Sequence, residues 1–101
     1  MQNQTFNDYI NSQVPTMVDF YADWCGPCKA MEPVIEKLKH EVGEKANILK
    51  VDVDKNPQAA SAFGVRSIPT LILFQKGKVV WKQTGVLSVE SLRQIIMEFA
   101  E

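Results

Sequence analysis

The sequence predicts a small α/β sandwich in which helices cover both faces of a mixed sheet. Three observations lead there. Strand-like and helix-like segments alternate as far as Phe63, two further strands flank the glycine-bearing stretch Gln75-Lys76-Gly77-Lys78, and an amphipathic segment follows them. With 101 residues, 46% of them hydrophobic, the chain is long enough for one core and too short for two, so one domain over residues 1–101 is expected.

Thr5 can cap a short helix running to Ile10 or Ser12, with Asp8 in an acidic first turn and Phe6, Tyr9 and Ile10 as its apolar side. Pro15 resets the backbone. Residues 16–22 (TMVDFYA) are nearly continuous in apolar character, which suits a central strand covered on both faces, and Asp19 is their anomaly. A helix over Gly26–Val42 places Met31, Ile35, Leu38 and Val42 on one stripe beside Val34, with Glu32, Glu36, Lys37 and Lys39 outward. Pro33 lies inside it and should kink it. Residues 47–53 form the next strand, Pro57 opens a short helix to Ala62 or Phe63, and Gly64 ends that helix. Residues 70–74 and 79–82 form an antiparallel pair across the glycine turn. Ser88, with Glu90 and Ser91 just downstream, caps a last helix that buries Leu92, Ile95, Ile96 and Phe99 and reaches nearly to Glu101.

Eleven basic residues against twelve acidic ones give a net charge of -1, and no basic block or stripe is present to attract a phosphate backbone. Nucleic acid is therefore not an expected partner. The first residues carry no basic segment leading into a long apolar run, and the longest apolar stretches are strand-sized, which argues against export and membrane insertion.

Both cysteines sit in Trp24-Cys25-Gly26-Pro27-Cys28-Lys29, where an apolar strand gives way to a helix. A thiolate in a first helical turn meets unused backbone N–H donors and the positive end of the helix dipole, which lower its pKa and make it a nucleophile at neutral pH. A disulfide here closes too short a loop to constrain the unfolded chain, so a structural staple is a poor reading. Zinc within one chain is poorer still, because about four ligands are needed and His40 is the only histidine. No glycine-rich dinucleotide fingerprint follows an early strand, so neither a nicotinamide nor a flavin cofactor is expected. Reversible dithiol chemistry leads, with the pair mostly reduced at rest in a cytosolic setting.

Other residues carry open readings. Asp19, if buried, must hold a proton or find a partner, and otherwise it faces solvent. Lys50 interrupts Ile48, Leu49, Val51 and Val53, and its stem can lie along apolar surface while its charge reaches water. Asp52 and Asp54 suit a strand end and the turn after it, without a catalytic part. On sequence alone Pro69 is an ordinary trans proline that starts an element.

Val18-Asp19-Phe20, Trp24-Cys25-Gly26-Pro27-Cys28-Lys29, Ile68-Pro69-Thr70, Gly77 and Gly85 occur in the order and approximate spacing of the thioredoxin family, which the chain resembles over residues 5–100. The resemblance implies a thioredoxin-like three-layer α/β/α sandwich with a central mixed sheet, and a protein-disulfide reductase that acts as a thiol-disulfide oxidoreductase and electron carrier. In it, Cys25 attacks a substrate disulfide from an exposed position and Cys28, one turn inward, resolves the mixed disulfide. Asp19 is then a buried carboxylate that helps remove the Cys28 proton, and Lys50 lies close enough to favour its charged form. Pro69 is cis and packs beside the cysteines, leaving the Ile68 backbone to bind an extended substrate segment. Trp24, Gly26, Pro27, Val65, Ile68, Gly85 and Val86 form an apolar rim.

The same resemblance implies no bound cofactor: the Cys25–Cys28 disulfide is reversible and is recharged by a separate enzyme, thioredoxin reductase. Substrates are proteins with accessible disulfides, and the molecule is a cytoplasmic monomer. Family members usually begin with a strand for which Met1 to Gln4 leave little room, so four strands are expected instead of five, with one side of the 47–53 strand open to solvent or to another subunit. Tyr21 stands where tryptophan is frequent and should alter packing beneath the active-site loop. The competing reading is a thioredoxin-like binding or scaffold subunit that uses the same rim, whose hold on a partner would survive Cys25→Ser and Cys28→Ser.

Overall fold

The computed structural model describes residues 4–100. Its sheet has four strands, β1 (Thr16–Tyr21), β2 (Asn47–Asp52), β3 (Thr70–Gln75) and β4 (Lys78–Thr84), in the order β2-β1-β3-β4. β1 runs parallel to β2 and antiparallel to β3, and β3 and β4 are antiparallel. The parallel pair needs a crossover, which α2 (Gly26–Val42) supplies, whereas β3 and β4 need only a turn. Strands β1 and β2 each stop one residue before the expected end, and β4 is longer than expected at both ends.

Strand alternation sorts the β1 side chains into two cores. Met17 packs with Leu71 and Leu73 of β3 beneath Met31, Ile35, Leu38 and Val42 of α2 and Leu92 and Ile96 of α4 (Val89–Phe99). Val18 and Phe20 face the other way, with Ile72, Phe74 and the side chains of α1 (Phe6–Ile10) and α3 (Pro57–Ala62). Phe6, Phe63 and Phe74 meet there with ring centroids 4.9–6.0 Å apart. The result is the expected three-layer α/β/α sandwich. Each fully buried Leu, Ile or Met contributes about 1.5–3 kcal/mol over its exposed state, so the α2 stripe is a principal source of stability.

The helices begin as their sequences dictate. Thr5 and Asp8 form a reciprocal capping box on α1, and the Ser88 hydroxyl accepts the Ser91 N–H at the start of α4. α2 runs through Pro33 as one element, where the sequence predicts a kink. Pro33 has no N–H to donate to the Lys29 carbonyl one turn earlier, and both residues are exposed. A 3-10 turn that the sequence does not announce, Gly43–Lys45, follows α2. α4 ends at Phe99; Glu101, near which the sequence places its end, lies outside the described residues.

Lys76 and Gly77 join β3 to β4 with φ of 53° and 81°, the two positive values that a tight hairpin of matching twist requires. The tip is tied down: Lys76 N–H donates to Ser12 O at 3.1 Å and Gly77 N–H to Ile10 O at 2.9 Å. Gln75 Nε2 donates to Gln13 O and Phe99 O at 2.9 and 3.0 Å, joining the ends of α1, β3 and α4. An irregularity between Leu73 and Phe74 leaves Val80 opposite no partner, which lets Val80 and Trp81 both pack toward the α2 side.

Candidate active site

β1 ends at Tyr21, and the Cys25 N–H reaches back to Ala22 O at 3.2 Å, a turn that aims the chain into α2. Cys25 is the N-cap of α2, with extended backbone, and Pro27 falls within the first turn, where its missing N–H costs no helical bond. Cys25 and Cys28 are joined as a disulfide, their Cα atoms 5.2 Å apart. The Cys28 N–H donates to Cys25 Sγ at 3.1 Å. The Cys25 sulfur therefore occupies the place of a capping oxygen, where an unused donor and the helix dipole both favour negative charge.

One expectation is corrected here. Cys25 is no more exposed than Cys28, since each residue shows 4% of its surface. The two sulfurs cover one another, and Ala22, Tyr21, Val53 and Ile68 close around them. Hydrogen bonding, not exposure, distinguishes the two sulfurs in this state.

The facing wall is the Ile68–Pro69 loop, whose peptide bond is cis. Ile68 O lies 3.8 Å from Cys25 Sγ. Pro69 is buried and its carbonyl accepts the Gly85 N–H at 2.9 Å, while Thr70 Oγ1 donates to Ser67 O at 2.6 Å. These bonds fix the loop from both sides. Gly85 has φ of 97°, a conformation that a side chain would oppose, and it carries Val86 to the surface at 50% exposure.

Around this wall the structure brings together most of the sequence-chosen rim. Gly26 and Pro27 are exposed, Ile68 is half-buried, and Trp24 is 72% exposed. The Trp24 indole is held by its N–H, which donates to Asp54 Oδ2 at 2.8 Å. Sequence reasoning missed that bond, although an indole N–H needs an acceptor; no periodicity pairs residues 30 apart. Asp52 accepts the Asp54 and Lys55 N–H groups, the turn role expected of it. Val65 lies apart, packed with the α1 and α3 core and lining a groove with Val53 and Arg66.

Asp19 is wholly buried on the α2-facing side of β1, and neither carboxylate oxygen has a hydrogen-bond partner. Burial pushes its pKa up from 3.8 to about 6, opposed by the Lys50 charge and reinforced by Glu32. Lys50 is its register partner across β2, yet the ammonium makes no ion pair with it and stands 4.4 Å over the Tyr21 ring. No cluster of three or more His, Cys, Asp or Glu side chains placed to hold a metal occurs among the described residues. No helix among them is long and apolar enough to cross a membrane.

A cysteine pair that closes at a helix N-terminus stores two reducing equivalents when open. Fold and site together define a thiol-disulfide oxidoreductase. Known proteins agree. The thioredoxin family model matches residues 1–98. The thioredoxin of Staphylococcus saprophyticus is 50% identical over 94 residues, 93% of this chain and 89% of that one, and the thioredoxin of Bacillus subtilis is 44% identical with the same coverage. The solved structure of a mutant thioredoxin from Halobacterium salinarum superposes with a TM-score of 0.87 at 42% identity, covering 99% of this chain and 88% of that one. The chain belongs to the thioredoxin family, and it is a protein-disulfide reductase whose redox group is the Cys25–Cys28 disulfide itself.

Proposed function

We propose that Cys25 is the attacking sulfur and Cys28 the resolving one. The observation that carries this order is the Cys28 N–H directed at Cys25 Sγ in the first turn of α2, which stabilises an anion on Cys25 and has no counterpart for Cys28. In the reduced protein the Cys25 thiolate attacks one sulfur of a substrate disulfide. A Cys25–substrate disulfide forms, and the first substrate sulfur leaves and takes a proton from water. Cys28 then gives its proton to the Asp19 carboxylate, directly or through water, and attacks Cys25 Sγ. The second substrate sulfur leaves, the substrate has gained two electrons, and the Cys25–Cys28 bond holds the oxidised state.

Asp19 suits this part because a buried carboxylate with a pKa of about 6 is ionised at neutral pH and is still a better base than an exposed one. Lys50 moderates its affinity for the proton. The cis Pro69 withholds an N–H from the site, and the Ile68 carbonyl lies where an extended substrate segment can pair with it. Trp24, Gly26, Pro27, Ile68, Gly85 and Val86 receive that segment. The partners are proteins with accessible disulfides and a thioredoxin reductase that returns the pair to the dithiol. One domain, working as a cytoplasmic monomer, completes the reading.

The test is trapping. Cys28→Ser should accumulate a covalent adduct with a disulfide-bearing protein, released by dithiothreitol, whereas Cys25→Ser should not. An adduct formed by Cys25→Ser alone would reverse the order, and multiple turnover by either variant would reject the mechanism.

A further inference from the structure

We propose that Tyr21 is a positioning residue for the proton transfer: its ring face holds the Lys50 ammonium and so leaves the Asp19 carboxylate without a cation partner. The inference rests on the assignment of Asp19 as proton acceptor and names what keeps it fit for that work.

The register makes the observed arrangement informative. Asp19 and Lys50 are direct partners across β1 and β2, and side chains so placed project from the same face of the sheet within reach of one another. An ion pair is the arrangement expected of an opposed aspartate and lysine. It is not formed: both Asp19 oxygens are buried without a hydrogen bond, and the ammonium lies 4.4 Å from the centroid of the Tyr21 ring. Tyr21 follows Asp19 by two residues in β1 and therefore points to the same side, so Asp19 and the ring compete for one cation.

The surrounding charges do not offer Asp19 another partner. From α2, Glu32 acts on it with like charge; Asp52 of β2 and Asp23 lie near Tyr21; the β3 partner of Asp19 is the apolar Leu71. Lys50 is the cation of this group. Paired with it at close range, Asp19 would bind a proton weakly and accept one poorly at neutral pH. With the ammonium held over the ring, burial dominates and proton affinity stays high. An aromatic residue at position 21 has this effect and an aliphatic one of similar bulk does not, because only the aromatic face attracts a cation.

The experiment follows the Asp19 carboxyl by 13C NMR against pH in the oxidised protein, in Tyr21→Phe and Tyr21→Leu, and in the same three proteins carrying Lys50→Met. Tyr21→Phe should titrate as the unsubstituted protein does, and Tyr21→Leu should titrate about one pH unit lower. In the Lys50→Met background Tyr21→Leu should leave the midpoint where it is. An unmoved midpoint in Tyr21→Leu overturns the proposal. So does a shift that persists undiminished with Lys50→Met, since entry of water, not release of the lysine, would then be its cause. Independently of any substitution, the Lys50 Hε protons should be shifted upfield by the Tyr21 ring, and their resonance at ordinary positions would overturn it too. The acceptor assignment is tested apart from this: Asp19→Asn with an unchanged resolving rate removes the catalytic part of Asp19 and leaves the titration results standing.

Discussion

Replacing Asp19 by asparagine should stabilise the protein at neutral pH relative to acid. The folded chain holds the Asp19 proton up to about pH 6, against 3.8 for an ordinary aspartate, chiefly because burial penalises the charge, with Glu32 adding to the effect and Lys50 opposing it. Between those values the folded state binds more protons than the unfolded one, so stability falls as pH rises through that window. At roughly 1.4 kcal/mol for each pKa unit, ionising this carboxyl in the folded protein costs about 3 kcal/mol once the pH is above both values. Asparagine has no proton to lose. The difference in unfolding free energy between Asp19→Asn and the unsubstituted chain should therefore widen in favour of the variant by about 3 kcal/mol from about pH 3 to about pH 8. Urea denaturation of the oxidised proteins, followed by circular dichroism at fixed pH, measures it. Charged groups that do not interact with Asp19 contribute equally to both proteins and drop out of the comparison. A difference that stays level across the range would refute the reasoning, because Asp19 would then ionise in the folded chain as easily as in the unfolded one.

Three further outcomes concern packing and the hairpin. Ile35→Ala empties a site only 1% exposed in the centre of the α2 stripe and should lower the unfolding free energy by about 2–5 kcal/mol in urea, with the lower end expected if α2 settles inward. Lys76→Asn should stabilise by about 0.5–1 kcal/mol, because asparagine accepts the 53° φ more readily than lysine; a loss in thermal midpoint would contradict that. Gly77→Ala should cost more than about 1 kcal/mol, since its Cβ would fall 2.5 Å from Asn11 Oδ1 at a φ of 81°. Adding Asn11→Gly should recover only the steric part, which a double-mutant cycle separates from the backbone part.

The order of elements was legible because each has its own local signature. Met31, Ile35, Leu38 and Val42 repeat at helical spacing, TMVDFYA is apolar enough to suit a covered strand, and Thr5 and Ser88 mark where helices start. Gly43–Lys45 escaped because a short 3-10 turn leaves no periodicity to read. At the site, the cysteine pair was plain from its spacing, whereas the apolar strand around Asp19 left its burial open and only the family resemblance placed it inside, where it lies. What sequence could not supply were relations between strands. Which carboxylate meets the Trp24 N–H, and whether Lys50 leans on Asp19 or on Tyr21, are decided by a register that local patterns do not encode. The burial of Cys25 was missed for a similar reason: part of its cover comes from Ile68 and Val53, which lie far from it in the chain.

The bonds from the β3–β4 tip to Ser12, Ile10, Gln13 and Phe99 lie at the far end of β3 from Pro69. Six residues of strand, at about 3.4 Å each, separate that knot from the reactive loop by nearly 20 Å. Anchoring the molecule to a bead or an electrode through a linker next to Phe99 would consequently leave the sulfur-bearing face pointing away from the support. A partner as large as another protein could still land on it.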